Sequence, residues 1–306
     1  MQLSIIIINY KTPDLTSRCI ESIYKSKIPF SFEIIVVDND SQDDSKEIIT
    51  LKYKNVKWIA NDYNAGFGRA NNLGLEKAKG EYILFLNSDM ILKHDTLDIC
   101  LTKIKSDNQI GVLSCLLFNE DGSEQRSRFY HVCDYKELLK MNLFLEKIFA
   151  FKDKELKAVI GAFMFLPKQV LDTVGGFDPD FFMYSEELEL CLRVRKSGKM
   201  IYQTSETSAI HKHGGSTTDS LWSIRQKFVS NLLFYRKEKG VTGFFLYHIL
   251  FCFNSITNFT LMWLLDVKYR RNYFREQKVY LYSFKYFITI LFWGKAKQHN
   301  FLKVTI

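Results

Sequence analysis

Several features that would point to other protein classes are missing from the 306-residue sequence. Its six cysteines show no Cys-x-x-Cys spacing, which argues against a zinc site or a disulfide framework and favours a reduced compartment. The N-terminal stretch, MQLSIIIINYK, has neither a positively charged start nor a small-residue cleavage site, so we interpret it as a buried strand rather than a signal peptide. The chain also contains no internal repeat and no low-complexity linker. These absences favour a globular protein of the cytosolic compartment.

Most of the chain has no net positive charge, although the formal net charge of the whole is +8. Residues 221–306 hold 14 Lys and Arg against three acids, a net of +11, which leaves −3 for residues 1–220. Because the N-terminal part is acidic and has no basic stripe, the sequence argues against nucleic-acid binding. The positive charge belongs to the C-terminal part, where it favours contact with an anionic surface.

Short apolar runs alternate with helix-like segments over the first 90 residues. Strands are predicted over 3–10, 33–40, 56–59 and 81–89, and helices over 12–27, 43–53 and 68–79. Because these strands are apolar at successive positions, we expect an α/β fold with a mostly parallel sheet flanked by helices. Ligands bind at the carboxyl ends of such strands. The sequence places three polar clusters there, namely Asn9-Tyr10, Asp38-Asn39-Asp40 and Asn87-Ser88-Asp89.

The rest of the chain divides into a continuation of this domain and a different C-terminal region. Residues 118–157 are interpreted as a variable insertion, followed by a strand over 157–166, a helix over 185–198 and short strands up to Ile210. We predict one domain over 1–219 and a basic, aromatic, helical region over 220–306. Within that region, 241–265 lacks charged residues and is long enough to span a bilayer, but its polar side chains favour docking on a membrane surface. The Lys-aromatic alternation of 278–295 is typical of an interfacial helix.

Three polar segments carry the first chemical hypotheses. Asp89 follows a buried strand, where it is suited to hold Mg²⁺ or Mn²⁺ against a diphosphate, or alternatively to cap a following helix. Asp38 is equally suited to contact a base or ribose and to shape a turn. Residues 64–72 are glycine-rich and open a helix, so their amides and Arg69 are placed to meet a pyrophosphate. This segment matches neither GxGxxG nor a Walker loop, which disfavours a dehydrogenase or a P-loop enzyme.

Two later segments add acidic and imidazole groups. Glu186 and Glu187 follow the aromatic run FFMY, where desolvation suits a general base, while Glu189 is interpreted as one half of an i,i+4 pair with Arg193 on a solvated face. The segment HKHGGS at 211–216 offers His211 as a metal ligand in a glycine loop, although a histidine at a strand end is more often structural.

Taken in order, these motifs resemble the family-2 glycosyltransferases of the GT-A fold, and most closely their rhamnosyltransferase-like bacterial members. The resemblance covers roughly residues 1–216. The matching segments are IIIINYK (5–11), VVDNDSQDDS (36–45), NAGFGRANNLG (64–74), LFLNSD (84–89), IGAFMFLPK (160–168), GGFDPDFFMYSEELELCLR (175–193) and HKHGGS (211–216).

The resemblance implies a role for each site residue. The segment Asn87-Ser88-Asp89 matches the family's DxD-type metal motif, with Asn in place of its first Asp, and His211 matches a further ligand of the metal or the diphosphate. The family's Glu-Asp pair falls on Glu186-Glu187, so Glu187 is the candidate base; because Glu stands where Asp is usual, Glu186 stays an alternative. The nucleotide pocket is expected to be formed by Asn9, Tyr10, Asp38, Asn64 and Arg69.

The resemblance therefore predicts a metal-dependent, inverting glycosyltransferase of cell-surface glycan biosynthesis. It is expected to use a UDP- or dTDP-sugar as donor and a glycan or lipid-linked glycan as acceptor. The expected location is the cytoplasmic face of the plasma membrane, and a homo-oligomer is left open. The alternatives are a non-catalytic nucleotide-sugar-binding protein, which would lack intact site positions, and a sugar nucleotidyltransferase. A nucleotidyltransferase would need a Gly-rich basic signature after the first strand, which here continues as NYKTPDLT.

Overall fold

A computed structural model describes residues 1–132, 155–212, 220–261, 287 and 290–292. The chain forms two compact units. The first comprises Met1–Phe129, Leu156–Pro179 and Glu186–Thr218, and the second comprises Tyr130–Glu155, Asp180–Ser185 and Asp219–Ile306. The six residues Asp180–Ser185 therefore belong with the C-terminal region, although the chain on both sides of them belongs to the first unit.

The first unit is an α/β sheet covered by helices. Its strands are β1 (Leu3–Asn9), β2 (Phe32–Asp38), β3 (Val56–Ala60), β4 (Tyr82–Asn87), β5 (Met90–Leu92), β6 (Ile110–Phe118), β7 (Arg128–Phe129), β8 (Ala158–Val159), β9 (Phe163–Pro167) and β10 (Met200–His211). Its helices are α1 (Pro13–Tyr24), α2 (Ser45–Lys52), α3 (Phe67–Lys77), α4 (Thr96–Ser106), α5 (Lys168–Val174) and α6 (Glu186–Lys196).

Eight strands form one sheet in the order β3-β2-β1-β4-β9-β6-β10-β5. The half β3-β2-β1-β4 is parallel, as predicted, and β6 and β10 also pair in parallel. However, β9 runs antiparallel to both β4 and β6, and β5 runs antiparallel to β10. The sheet is thus mixed rather than wholly parallel.

Two sequence predictions in the second half were wrong. The predicted strand over 157–166 is split into β8, which pairs with β7 in a separate two-stranded sheet, and β9 in the main sheet. The chain turns at Gly161, where an added Cβ would lie 3.2 Å from the ring of Phe67. The predicted short strands before Ile210 are one strand, β10, whose register shifts between Thr204 and Ser208. A bulge of this kind looks like a strand end in the local pattern.

The core explains why these segments fold as they do. The side chains of β1 and β2 are buried on both faces of the sheet, as their uninterrupted Ile and Val runs predict. Helix α3 lies close to this sheet at Gly74, where a Cβ would lie 2.5 Å from Cγ2 of Ile6 and 3.2 Å from Cγ2 of Val37. Only glycine allows this approach, and it brings the start of α3 over the ends of β1 and β2.

Among the described residues of the second unit, the main element is helix α7 (Ser220–Leu261). The helix is kinked at Gly240, which has φ 66° and ψ −161°, a conformation that glycine tolerates and other residues avoid. Within the described residues, no helix combines the length and apolar character that a membrane crossing requires. Part of the uncharged run, 262–265, and most of 278–295 lie outside the described residues.

The cysteines of the described residues are free thiols. Cys19, Cys100, Cys115 and Cys191 are buried and Cys252 is exposed. Burial raises the pKa of Cys115 and of Cys191 to about 12, so both thiols stay protonated at neutral pH. The four buried cysteines act as small apolar core residues.

Candidate functional site

The predicted polar clusters meet at the carboxyl edge of the parallel strands. The register of β1 against β2 and β4 places Asn9 beside Asp38 and Ile8 beside Asn87. Nδ2 of Asn9 donates a hydrogen bond to Oδ1 of Asp38 over 2.7 Å, and Oδ1 of Asn9 accepts one from Thr16 over 2.7 Å. Both amide ends of Asn9 are therefore used, which fixes its orientation and that of Asp38.

Asp38 is also tied to the turn that follows β2. Its carboxylate accepts hydrogen bonds from the hydroxyl of Ser41 over 2.5 Å and from the Ser41 amide over 3.1 Å. Asp38 therefore shapes a turn, one of the two roles considered for it, and that turn crosses the edge where a nucleotide would lie. Three non-glycine residues around it have positive φ, namely Lys11 at 56°, Asp40 at 65° and Gln42 at 54°. Strained backbone of this kind gathers at functional sites.

The loop before α3 is ordered by an asparagine that sequence reasoning did not single out. Asn39 donates to Oδ1 of Asn64 over 2.9 Å and to the carbonyl of Gly66 over 3.0 Å, and it accepts from the amide of Ala65 over 2.9 Å. Asn39 thus connects the end of β2 to the glycine-rich loop. The available signal was the position of Asn39 directly after a predicted strand-end Asp.

Two predicted nucleotide-pocket residues have contacts of their own. Nε of Arg69 donates to the carbonyl of Pro179 over 2.6 Å, and Nη1 lies 3.4 Å from the carbonyl of Ala65. This arrangement fixes the guanidinium between α3 and the 175–179 loop. Tyr10 is half-buried, and Nζ of Lys11 lies 5.6 Å from the centre of its ring. A role for either residue in holding the donor stays a prediction.

Asp89 and His211 come together in the structure. Nε2 of His211 lies 3.3 Å from Oδ1 of Asp89, and both side chains are almost completely buried. The two residues lie next to each other because β10 pairs with β5, which places His211 beside Met90, and because the amide of Lys212 donates to the carbonyl of Asp89 over 3.0 Å. Since Asp89 leads into strand β5 rather than a helix, the capping alternative is wrong.

Gln125 determines the tautomer of the neutral His211 ring, and it leaves the Nε2 that faces Asp89 without a proton. The amide nitrogen of Gln125 donates to the carbonyl of His211 over 2.7 Å and to Oδ1 of Asn119 over 2.6 Å. Its Oε1 therefore faces Nδ1 of His211 at 2.8 Å, which makes Nδ1 the protonated nitrogen of the neutral ring. The lone pair on Nε2 then points toward a carboxylate, an arrangement that suits a divalent cation bound by both groups.

The chemistry of this pair fits a metal held jointly with a substrate. Within the described ranges, no group of three or more His, Cys, Asp or Glu side chains could hold an ion. Asp89 and His211 would therefore supply two ligands, and oxygen atoms of a bound diphosphate would have to supply others, as Mg²⁺ sites commonly require. The thiol of Cys19 does not compete for the ion, because burial, followed by the charge of Asp89, raises its pKa far above neutral.

Glu186 and Glu187 begin helix α6 near the same edge. A Cβ added to Gly161 would lie 3.6 Å from Cβ of Glu187, and one added to Gly68 would lie 3.7 Å from Cβ of Glu186. Gly161 belongs to the turn before β9, where the carbonyl of Ala162 accepts the amide of Asn87. Glu187 is thus close to the strand end that carries the metal motif, whereas Glu186 is buried against the start of α3.

Glu189 has a structural role that differs from the predicted one. It does pair with Arg193, through two hydrogen bonds of 2.6 Å, but Glu189 is buried rather than on a solvated face. Arg193 also donates to the carbonyls of Val174, Gly175 and Gly176. A residue pair that looked like a surface ion pair therefore fixes the loop at 174–176 to helix α6. His213 to Ser216 of the histidine loop lie outside the described residues.

Together, the fold and the site define an α/β protein whose candidate site residues gather at the carboxyl edge of its sheet. The sequence profile described as "Glycosyl transferase family 2" matches residues 4–175, more than half of the chain. The chain belongs to glycosyl transferase family 2, and its sheet has the GT-A fold expected from the motifs.

Curated relatives agree with this family. The chain is 28% identical over 224 residues to rhamnosyltransferase WbbL of Escherichia coli, covering 68% of this chain and 82% of that protein. It is also 28% identical over 216 residues to the low-salt glycan biosynthesis hexosyltransferase Agl10 of Haloferax volcanii, covering 68% of this chain and 66% of that protein.

A solved structure extends the likeness in fold to nearly the whole chain. The mannosyltransferase PcManGT from Pyrobaculum calidifontis, in complex with GDP-Man and Mn²⁺, matches with a TM-score of 0.62 over 96% of this chain and 88% of that one, at 13% identity. At this identity the comparison establishes the fold alone.

Proposed function

We propose that this glycosyltransferase transfers a sugar with inversion from a UDP- or dTDP-sugar to a hydroxyl of a glycan or lipid-linked glycan, in cell-surface glycan biosynthesis, with a divalent cation. The observation that carries the proposal is the Asp89–His211 pair, 3.3 Å apart at the carboxyl edge of the sheet that Glu187 also approaches. The names of the relatives support the substrate class, because WbbL is a rhamnosyltransferase and Agl10 a hexosyltransferase of glycan biosynthesis.

In this proposal the metal is held by Oδ1 of Asp89 and Nε2 of His211. When bound, Mg²⁺ or Mn²⁺ would neutralise charge on the departing nucleoside diphosphate. The fit depends on the tautomer that Gln125 imposes, since only a deprotonated Nε2 is a ligand. Asp89 contributes a carboxylate, and Asn87, the neutral first residue of the motif, contributes none.

The nucleotide is assigned to the edge formed by the ends of β1 and β2. Asp38 and Asn9 are held rigid by their shared hydrogen bond, while Tyr10 flanks them and Asn64 opens the glycine-rich loop. The amides of that loop precede helix α3, whose N-terminus attracts the negative charge of a diphosphate. Arg69 is assigned a supporting role, because its hydrogen bond to the carbonyl of Pro179 ties the start of α3 to the 175–179 loop.

Glu187 is assigned as the base that accepts the proton of the acceptor hydroxyl as the sugar carbon is attacked from the face opposite the leaving diphosphate. Glu186 is the alternative. Its burial against Gly68 favours a role in packing for Glu186 and leaves the proton to Glu187, the more exposed of the two.

The test combines a donor panel with two isosteric variants. Purified protein is incubated with UDP-glucose, UDP-N-acetylglucosamine, dTDP-rhamnose or GDP-mannose and Mn²⁺, and release of the nucleoside diphosphate is measured. With the donor that is turned over, Glu187→Gln is expected to bind the nucleotide normally and lose about 10²–10⁴-fold in rate. Glu186→Gln, the matched control, is expected to retain the larger share of activity.

Three results would change these assignments. Release of nucleoside diphosphate from none of the four donors, with binding of each intact, would favour a non-catalytic nucleotide-sugar-binding protein. Full activity of Glu187→Gln beside an inactive Glu186→Gln would move the base to Glu186. Formation of a nucleotide sugar from a sugar phosphate and a nucleoside triphosphate would support a nucleotidyltransferase instead.

We also propose that the C-terminal region docks on the cytoplasmic face of the plasma membrane, where a lipid-linked acceptor is presented. After the kink at Gly240, helix α7 carries exposed apolar side chains at Phe245, Leu246 and Ile249, a spacing that puts them on one face. The basic residues of 221–306 surround this stretch in sequence. Near an anionic leaflet each basic residue contributes about 1 kcal/mol, so several together suffice for attachment.

Co-sedimentation with vesicles of phosphatidylserine and phosphatidylcholine tests the docking proposal. The full chain is expected to sediment at low salt and to be released at high salt. Phe245→Ser with Ile249→Ser should reduce binding, whereas the matched exposed-apolar change Leu51→Ser, on helix α2, should not. Recovery of all forms in the supernatant at low salt would contradict surface docking.

A further inference from the structure

The six residues that precede the candidate base pair adopt a costly backbone conformation. Asp180–Ser185 end directly before Glu186, and the last two of them, Tyr184 and Ser185, have φ of 69° and 68°. Two consecutive non-glycine residues in the left-handed region are unfavourable unless their surroundings fix them. The entry of the chain into helix α6 therefore depends on whatever holds this segment.

Helix α7 holds the backbone and the polar side chains of the segment. The carbonyl of Met183 accepts hydrogen bonds from the hydroxyl of Ser230 over 2.8 Å and from Nε2 of Gln226 over 3.3 Å. The hydroxyl of Ser185 donates to Oδ1 of Asn231 over 2.9 Å. These bonds lie on either side of Tyr184, so they fix the strained part of the chain.

The remaining residues of the segment contact the same helix. Asp180 forms an ion pair with Lys237 at 2.6 Å. The rings of Phe181 and Phe182 pack edge-on against aromatic rings of α7, and Nζ of Lys227 lies 5.0 Å from the centre of the Tyr184 ring. Every one of the six residues thus has a partner on α7, and the partners recur at helical spacing: Trp222, Gln226, Lys227, Ser230, Asn231, Phe234 and Lys237.

We infer that this face of α7 positions the carboxylate pair at the start of α6, with Asn231 and Ser230 as its principal positioning residues. The inference rests on the proposed function, in which Glu187 takes the acceptor's proton. Asn231 touches no reacting atom and acts through Ser185, the residue bonded to Glu186.

The test uses three single variants, one double variant and a control, and it measures hydrolysis of the nucleotide sugar, with water in place of the acceptor. Asn231→Leu removes the acceptor of the Ser185 hydroxyl, and kcat is expected to fall about 10–100-fold, since misplacement of a catalytic group by about 1 Å costs on this scale. The donor's Kd and the Tm should stay close to wild type. Asn231→Asp keeps an oxygen that accepts the hydrogen bond of the Ser185 hydroxyl. Its kcat should therefore return to within about threefold of the wild-type value, because the geometry is restored.

Ser185→Ala completes the test. If Asn231 acts through Ser185, the double variant Ser185→Ala, Asn231→Leu should be no slower than the slower single variant. The control is Lys239→Gln, an exposed position of the same helix, for which wild-type kcat is expected.

Wild-type kcat in Asn231→Leu would overturn the inference, as would a fall in kcat matched by lost donor binding or lost Tm. Failure of the proposed function is seen separately, as full activity of Glu187→Gln.

Discussion

Gln125 offers the sharpest test of the metal site, because it orients a ligand without being one. Its amide donates to the carbonyl of His211 and to Asn119, and its oxygen accepts from Nδ1 of His211. Replacement by Leu removes all three bonds while keeping a similar volume. We expect the imidazole to lose both its fixed orientation and its fixed tautomer, so that Nε2 no longer faces Oδ1 of Asp89 in a consistent way.

The size of the effect follows from the number of ligands. Loss of a partner that orients a metal-ligating histidine weakens metal binding about 10–100-fold, equivalent to about 1.4–2.7 kcal/mol. In the proposed site one of the two ligands offered by the described residues would be affected, so we expect the upper half of that range. The half-saturating Mn²⁺ concentration should rise accordingly, while the rate at saturating Mn²⁺ should change less than fivefold, because the ligand itself is still present.

The assay is isothermal titration of Mn²⁺ into protein with excess UDP, repeated as a titration of the reaction rate. Gln109→Leu, at an exposed glutamine, is the matched control and should leave both values unchanged. Wild-type Mn²⁺ affinity in Gln125→Leu, with Tm also unchanged, would refute the role given to Gln125.

Three further predictions follow from the structure. Asp89→Ala, or excess EDTA, should lower sugar transfer by orders of magnitude with an unchanged circular dichroism spectrum; full turnover in EDTA would remove the metal from the mechanism. Burial alone would raise the pKa of Glu33, but hydrogen bonds from Lys57, Ser4 and the amide of Lys79 hold that pKa below its ordinary value. Urea unfolding should therefore show Glu33→Gln less stable than wild type at pH 7, with the difference shrinking below about pH 4.3 as the wild-type carboxylate is protonated; a constant difference would contradict this. Gly74→Ala should lower the free energy of unfolding by about 1–3 kcal/mol despite the better helix propensity of Ala, and an unchanged Tm would contradict the close approach to Ile6.

The first half of the fold was predictable because its information is local. The Ile and Val runs of β1 and β2 are buried on both faces, and each strand ends at the polar residue, Asn9 or Asp38, where the apolar run ends. The parallel register of β1 and β2 then places Asn9 beside Asp38. Local pattern and tertiary pairing agree here, as they do in well-designed sequences.

The second half was less predictable because its contacts are distant in sequence. Nothing in the residues around β9 indicates that it runs antiparallel to β4, which precedes it by about 80 positions. Gln125 lies in a segment interpreted as a variable insertion, yet it bonds to His211, 86 positions away. The bond from Ser185 to Asn231 likewise joins two residues that the predicted domain boundary had separated. Each of these contacts depends on tertiary pairing, which the local period of hydrophobic residues does not predict.

The neutral first residue of the proposed metal motif, Asn87, affects the charge balance of the Asp89–His211 pair. Asn87, half-buried at the end of β4, carries no charge to offset a cation, and His211 is neutral when it binds one. In the proposed site Asp89 would therefore offset one of the two positive charges of a divalent ion, and the donor's diphosphate would offset the remaining charge. Such a site holds the free ion weakly and the ion with its nucleotide strongly, because the diphosphate supplies both charge and ligands. By linkage, the ion must strengthen nucleotide binding by the same factor. In the proposed mechanism we therefore expect Mn²⁺ to bind the nucleotide complex rather than the free protein, which is why the Gln125 titration is made with UDP present.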